Sequence, residues 1–149
     1  MDDIIWTVKS FDELTASELY TIIKARVDVF VVEQECPYPD LDGYDQQALH
    51  LWAVKKGEIA AYCRIFAPAV KYPDASIGRV LTTQKHRRMK LGKVLMKFAI
   101  STIEARYRTS AIRISAQDYL LKFYGDLGFE DTGRKYLEDD IPHTEMVKR

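Results

Sequence analysis

Apolar positions along this chain change their spacing several times, and each change marks an element. In "LTASELYTIIKARVDVF", Leu19, Ile22, Ile23, Val27 and Phe30 recur at helical spacing, which predicts an amphipathic helix over 14–30. Thr15 and Glu18 have capping-box spacing at its start, and Leu14 and Leu19 are placed for a hydrophobic staple. "IIWTVK" (4–9), just before it, reads as a short strand. "EQECPYPDLDGYDQQ" (33–47) loses all periodicity and is broken by Pro37, Pro39 and Gly43, so it is a loop. "ALHLWAV" and "EIAAYCRIFA" flank "KKG", a hairpin signal, and "SIGRVLTT" (76–83) is a third strand of that group.

Helical spacing returns in "LGKVLMKFAISTIEARY", whose apolar face is Leu91, Leu95, Phe98, Ala99, Thr102 and Ile103. "AIRISAQ" (111–117) is a strand, and "YLLKFYGDLGF" is a short helix ended by Gly128. "FEDTGRKYLE" and "PHTEMVK" are two closing strands around the turn "DDI". The order β-α-β-β-β-α-β-α-β-β predicts an α/β (α+β) chain, with helices packed on a mixed sheet. Strand 76–83, helix 91–106 and strand 111–117 form a parallel crossover.

The chain has 149 residues, which fits a single domain spanning 1–149. Lys plus Arg equals Asp plus Glu at 22 each, so bulk nucleic-acid binding is not expected. No apolar stretch is long enough for a bilayer, and "MDDIIWTVKS" lacks the features of a signal peptide. Cys36 and Cys63 make neither a disulfide framework nor a metal cluster. The expectation is a cytoplasmic protein with reduced thiols and no membrane partner. A homodimer is allowed.

Against this neutral background, "HRRMKLGK" (86–93) concentrates Arg87, Arg88, Lys90 and Lys93 around one glycine, just where a helix begins. A strand that feeds a helix through a short loop presents backbone N–H groups and the positive end of the helix dipole. An anion such as a phosphate or pyrophosphate suits that place. Neither G-x-x-x-x-G-K-[ST] nor G-x-G-x-x-G is present, and a solvated basic turn is the competing reading.

Two further stretches bear on the choice. "RRMKLG" (87–92) follows the R/Q-x-x-G-x-G/A loop with Lys90 at the first glycine, and "FYGDLGF" follows fYxxxGF. Together they resemble the GNAT family of N-acetyltransferases, with Gln117 where that family has an asparagine seven residues before the tyrosine. "VFVVEQECPYPDLDGYD", "IGRV", "AQDYLLKFYGDLGF" and "IPHTEM" are similar to the ElaA-type branch, from about residue 11 to the end. The "VFVVEQE" segment also resembles acyl-homoserine lactone synthases, which share the fold.

The resemblance implies a GNAT fold: a mixed, mostly antiparallel seven-stranded sheet flanked by helices. It also implies acetyl-CoA as co-substrate, no metal, and direct transfer to a primary amine on a small molecule or peptide. Backbone groups of Arg87, Arg88, Met89, Lys90, Leu91, Gly92 and Lys93 would hold the pyrophosphate. Those of Val80, Leu81 and Thr82 would line the pantetheine and the acetyl carbonyl, with Gln117 and Tyr124 completing the site. Tyr124 would protonate the leaving thiolate, since an unperturbed phenol near pKa 10 lies a little above a thiol near 8.5. Glu33, His50 and His143 are the candidate bases. A non-catalytic acyl-CoA-binding module is the alternative.

Residues 33–45 carry Glu33, Glu35, Asp40, Asp42 and Asp45 with no Lys or Arg, so the acceptor end is expected to be negative and to attract a cationic amine. "DLDGYD" is not a calcium loop: aligned on Gly43, Tyr38 and Leu49 fall at the first and twelfth ligand positions.

Overall fold

The computed structural model describes residues 3–149; Met1 and Asp2, the first two residues of the expected domain, lie outside the described residues. The elements are β1 (Ile5–Ser10), α1 (Ala16–Arg26), β2 (Leu49–Lys55), β3 (Glu58–Phe66), β4 (Ala75–Thr82), α2 (Leu91–Tyr107), β5 (Ile112–Gln117), α3 (Leu121–Gly125), β6 (Glu130–Glu138) and β7 (Ile141–Lys148). They form one seven-stranded sheet in the order β1-β2-β3-β4-β5-β7-β6, antiparallel except between β4 and β5. The expected mixed sheet and its parallel crossover through α2 are both present.

The capping box at the start of α1 is formed: Thr15 Oγ1 accepts from the Glu18 amide at 3.1 Å, and Glu18 Oε1 accepts from the Thr15 amide at 2.9 Å. The helix then widens. Val27–Glu33 is a π-helical turn, and Gln34 and Cys36 continue it by donating to carbonyls five residues back, Val29 and Val31. The buried face lies one position away from the expected one. Val27 and Phe30, expected inside, are half-buried, whereas Arg26 and Val29 are buried.

Pleating sends alternate residues of β3 to opposite faces. Ala61, Cys63 and Ile65 pack with Leu95, Ala99 and Ile103 of α2 and with Phe129. Tyr62 packs on the other face with Ile22 and Ala25 of α1, beside Trp52 and Leu81. The buried stripe of α2 centres on Ala99 and includes Met96, so Phe98, expected in the core, stays 43% exposed. It rests at the sheet margin against Trp6, with ring centroids 4.9 Å apart.

Two features of β4 prepare the site. Its parallel ladder with β5 has only two rungs, Ala75↔Ile112 and Ser76↔Arg113, although both strands continue beyond them. Tyr62 pairs with Leu81 but Arg64 pairs with Gly78, so Arg79 and Val80 together face Cys63. That is a β-bulge, and Arg79 takes the left-handed conformation within it, at φ 50. Bulges bend the strand that carries them, and this one lies just beyond the point where β4 parts from β5.

Candidate active site

Two cavities open where β4 and β5 cease to pair. One, of about 500 Å³, is lined by Leu81, Thr82, Arg87, Lys90, Gly92 and Phe123, among others. The other, of about 150 Å³, reaches Arg64, Lys71, Arg79, Ser115, Glu138 and His143. Phe30, Gln34, Val80, Gln117, Leu120 and Tyr124 line both, so the cavities meet at the seam.

The basic segment lies at the larger cavity. Residues 84–89 form a 3₁₀ stretch, and Lys90 turns the chain in the left-handed region (φ 56, ψ 41) before α2 starts at Leu91. No side chain caps that start, so its first amides face outward under the helix dipole. A glycine takes this conformation freely, which explains the family's glycine at this position; a lysine bears a strain of about 1–2 kcal/mol there. A Cβ on Gly92 would stand 3.4 Å from Phe123 Cζ and 3.9 Å from Thr82 Cγ2, so the helix start is packed closely on α3 and β4. Of the expected segment, Arg87, Lys90, Leu91 and Gly92 line the cavity, whereas the side chains of Arg88, Met89 and Lys93 do not. Met89 packs against the core instead.

Tyr124, on α3, is buried, its ring edge-on to Phe123 and Phe129. Its hydroxyl has no hydrogen-bond partner among the described residues. Burial, reinforced by the neighbouring Cys63 and Tyr119, pushes its pKa well above the usual tyrosine value, which keeps it protonated but makes it a weaker acid than the near match of unperturbed phenol and thiol implies. Gln117 donates to Gln34 Oε1 at 3.4 Å, tying the end of β5 to the end of the π-helical turn. Both cysteines are free thiols. Cys63 is fully buried and burial pushes its pKa up strongly, while the Cys36 thiol donates to the Asp139 carbonyl at 3.7 Å.

One of the expected bases, His50, lies away from both cavities, and Glu33 is at the larger one but tied up in an ion pair. His50 sits under the 33–47 loop with Nδ1 2.7 Å from the Tyr62 hydroxyl and Nε2 2.9 Å from the Asp45 carbonyl, and burial lowers its pKa. Both ring nitrogens are thus committed to the fold. Glu33 lines the larger cavity but is ion-paired with Arg87 at 2.5 Å, and Arg87 also donates to the Thr82 carbonyl at 3.1 Å and 3.0 Å. His143 also has both ring nitrogens engaged, one of them by a carboxylate, but it stands at a cavity wall. It lines the smaller cavity, donates from Nδ1 to the Ile141 carbonyl at 2.7 Å and holds Nε2 3.3 Å from Glu138 Oε2.

The expected negative acceptor end is not present as such. Asp40, Asp42 and Asp45 are matched from within by arginines far off in sequence. Arg26 donates to Asp40 and to Asp45, each at 2.7 Å, and Arg64 donates to Asp45 at 2.9 Å and to Asp42 at 2.9 Å. Arg79 donates to the Asp40 carbonyl at 2.8 Å. Burial alone would raise Asp42 and Asp45, but the arginine hydrogen bonds and charges outweigh it and hold both below the usual carboxylate value. Asp40, Asp42 and Asp45 are therefore part of an ion-pair cluster rather than a free negative surface. A sequence window shows charges on one segment and cannot show partners on α1, β3 and β4.

Residues 16–149 match the acetyltransferase (GNAT) domain family. Protein ElaA of Escherichia coli strain K12 is 35% identical over 147 residues, covering 97% of this chain and 96% of its own. Its crystal structure aligns over 99% of this chain and 100% of that one, with a TM-score of 0.91. An acyl-CoA N-acyltransferase of Pseudomonas aeruginosa is closer in shape, with a TM-score of 0.94 at 38% identity over 99% of this chain and 100% of that one. An acyl-homoserine lactone synthase, BjaI, solved with SAM and isopentyl-CoA, aligns at a TM-score of 0.76 over 100% of this chain and 84% of its own. At 17% identity that likeness shows the fold alone.

The sheet thus parts beside a helix start, and two cavities meet at the parting. The chain belongs to the GNAT acetyltransferase family, and ElaA is among the proteins it is similar to. No helix among the described residues is long and apolar enough to cross a membrane. They contain no cluster of three or more His, Cys, Asp and Glu able to hold a metal ion.

Proposed function

We propose that the protein moves an acetyl group from acetyl-CoA directly to the nitrogen of a primary amine. One observation carries this reading: Tyr124, protonated and with its hydroxyl unpartnered, stands where the two cavities meet. The larger cavity takes the donor, its pyrophosphate at the start of α2. The pantetheine arm lies along Val80, Leu81 and Thr82, where β4 has no β5 partner. The smaller cavity takes the amine, and His143 with Glu138 accepts the ammonium proton. The neutral nitrogen attacks the thioester carbon, and a backbone N–H near Leu81 steadies the oxyanion, which one such donor can do by ~3 kcal/mol. The C–S bond then breaks, the Tyr124 hydroxyl gives its proton to the sulfur as charge develops there, and the second proton shed by the new amide nitrogen restores the tyrosine hydroxyl.

The state of the thiols supports direct transfer. Cys63 is buried and protonated, and the Cys36 thiol is held on a carbonyl, so neither is an activated nucleophile. Intact-mass measurement after incubation with acetyl-CoA alone should show no acetylated protein. Release of free CoA should require an amine. A stable acyl-cysteine would overturn direct transfer, and CoA binding without thiol release for any amine would leave a binding module.

The donor site has its own test. Acetyl-CoA at a hundredfold excess over Kd should stabilise the fold by ~2.7 kcal/mol, raising Tm by roughly 5–10 °C for a chain of this size. Lys90→Asp is the discriminating variant, because Asp tolerates the left-handed conformation and sets a negative charge beside the phosphates. A change at Gly92 would press on Phe123 as well. Lys90→Asp should keep the unliganded Tm close to the parent's and weaken acetyl-CoA at least tenfold, about 1.4 kcal/mol. Unchanged affinity would remove the pyrophosphate from this helix start.

A further inference from the structure

The smaller cavity has walls of opposite charge. On one side stand Arg64, Lys71 and Arg79, with Asp40 beside them. Within this cluster Arg26, Arg64, Lys71 and Arg79 face Asp40, Asp42 and Asp45, which leaves one positive charge in excess on this wall, with Glu138 of the opposite wall within electrostatic reach of Lys71. Lys71 is the least bound of the four. Its ammonium is 3.8 Å from Asp42, already taken by Arg64, and lies 4.6 Å from the centre of the Tyr44 ring. Burial and the nearby Arg64 lower its pKa, so an added anion would be welcome there. Arg64 and Arg79 line the same wall, so their positive charge adds to that of Lys71 there.

The other wall is acidic. The β6–β7 hairpin brings Glu138 and Asp139 to the same cavity, together with His143. His143 pairs with Gln117 at the end of β5, so this wall adjoins the seam where Tyr124 stands. An amine that carried only positive charge would meet the surplus cation on the opposite side. An acceptor with one charge of each sign would satisfy both walls.

Resting on the transfer reading, we infer that the acceptor is a zwitterion of amino-acid type. Its carboxylate is held by Lys71 with Arg64 and Arg79, and its amino group lies toward Glu138, His143 and the thioester. The small size of the cavity suits a short molecule.

The test is a set of matched acceptors: glycine, L-alanine, β-alanine and 4-aminobutyrate, each beside its amide, with putrescine as a purely cationic amine. At least one free acid should exceed its amide in kcat/KM by tenfold or more, and putrescine should rank with the amides. Lys71→Gln should bring that acid-over-amide ratio close to one, and Lys71→Arg should restore it. A second readout needs no turnover: with free CoA present, the preferred acid should raise Tm and its amide should not. Amides accepted as well as their acids, or a ratio unmoved by Lys71→Gln, would overturn the inference and leave acetyl transfer standing. If no amine is turned over although acetyl-CoA binds, the transfer reading fails. The melt then decides the zwitterion site by itself, and acids that shift Tm no more than their amides would overturn it.

Discussion

Tyr124→Phe should lower kcat by about 10²–10⁴-fold, the range expected when a positioned acid is removed, and leave acetyl-CoA affinity nearly unchanged. The substitution is clean for a structural reason. The tyrosine ring packs against Phe123 and Phe129, and phenylalanine keeps that packing. Its hydroxyl bonds to nothing among the described residues, so removal breaks no internal hydrogen bond. The variant should therefore melt near the parent temperature and still gain stability from acetyl-CoA. Stopped-flow measurement of thiol release, set up so that chemistry limits the rate, separates a lost acid from slow product release. Parent-like rates in that regime would return Tyr124 to a packing role.

Asp45→Asn should destabilise the fold by about 3–5 kcal/mol, the usual cost of removing one partner from a buried charge cluster. Arg26 and Arg64, both almost fully buried, share this carboxylate, and its loss leaves each of them with an excess of charge. Set against a typical total of about 5–15 kcal/mol, such a change should show as a large fall in the urea midpoint. The same cluster sets the acid limb of stability. Asp42 and Asp45 titrate lower in the folded chain than their unfolded value near 3.9, so the unfolded state takes up protons first as pH falls. Their contribution should be complete above about pH 5 and decline below pH 4. An equal urea midpoint at pH 7 and pH 3.5 would show that these carboxylates are not held as the geometry indicates.

Strand and helix positions were legible wherever one local period governed. The box at Thr15 and Glu18, the hairpin around Gly57 and the crossover through α2 depend on neighbours in sequence, and all formed. The loop glycine Gly92 and the aromatic run ending at Phe129 pointed to the cavity for the same reason. What escaped is non-local. Nothing in "KARVDVF" signals a π-helical turn or the burial of Arg26, whose partners lie on a loop 14 and 19 residues further on. The acidic loop read as a free negative surface because its arginines lie on α1, β3 and β4. The bulge at Arg79 and the turn at Lys90 place long basic residues in a conformation that composition disfavours, so a strand period and a charge run concealed them. His143 outranks His50 only once the β6–β7 hairpin is folded back onto β5.

The two rungs between β4 and β5 also determine how the molecule yields. Every other junction in the sheet is a longer antiparallel ladder, so the line between Ser76 and Arg113 is where bending breaks fewest backbone hydrogen bonds. Four strands lie on one side of that line and three on the other, and α2 bridges them on one face. The sheet is then a pair of stiff plates joined by a soft hinge rather than a uniform slab. Compliance is concentrated at the seam where the two cavities meet, and a small rotation of one plate against the other would change the width of that seam with the pairing inside each plate left intact.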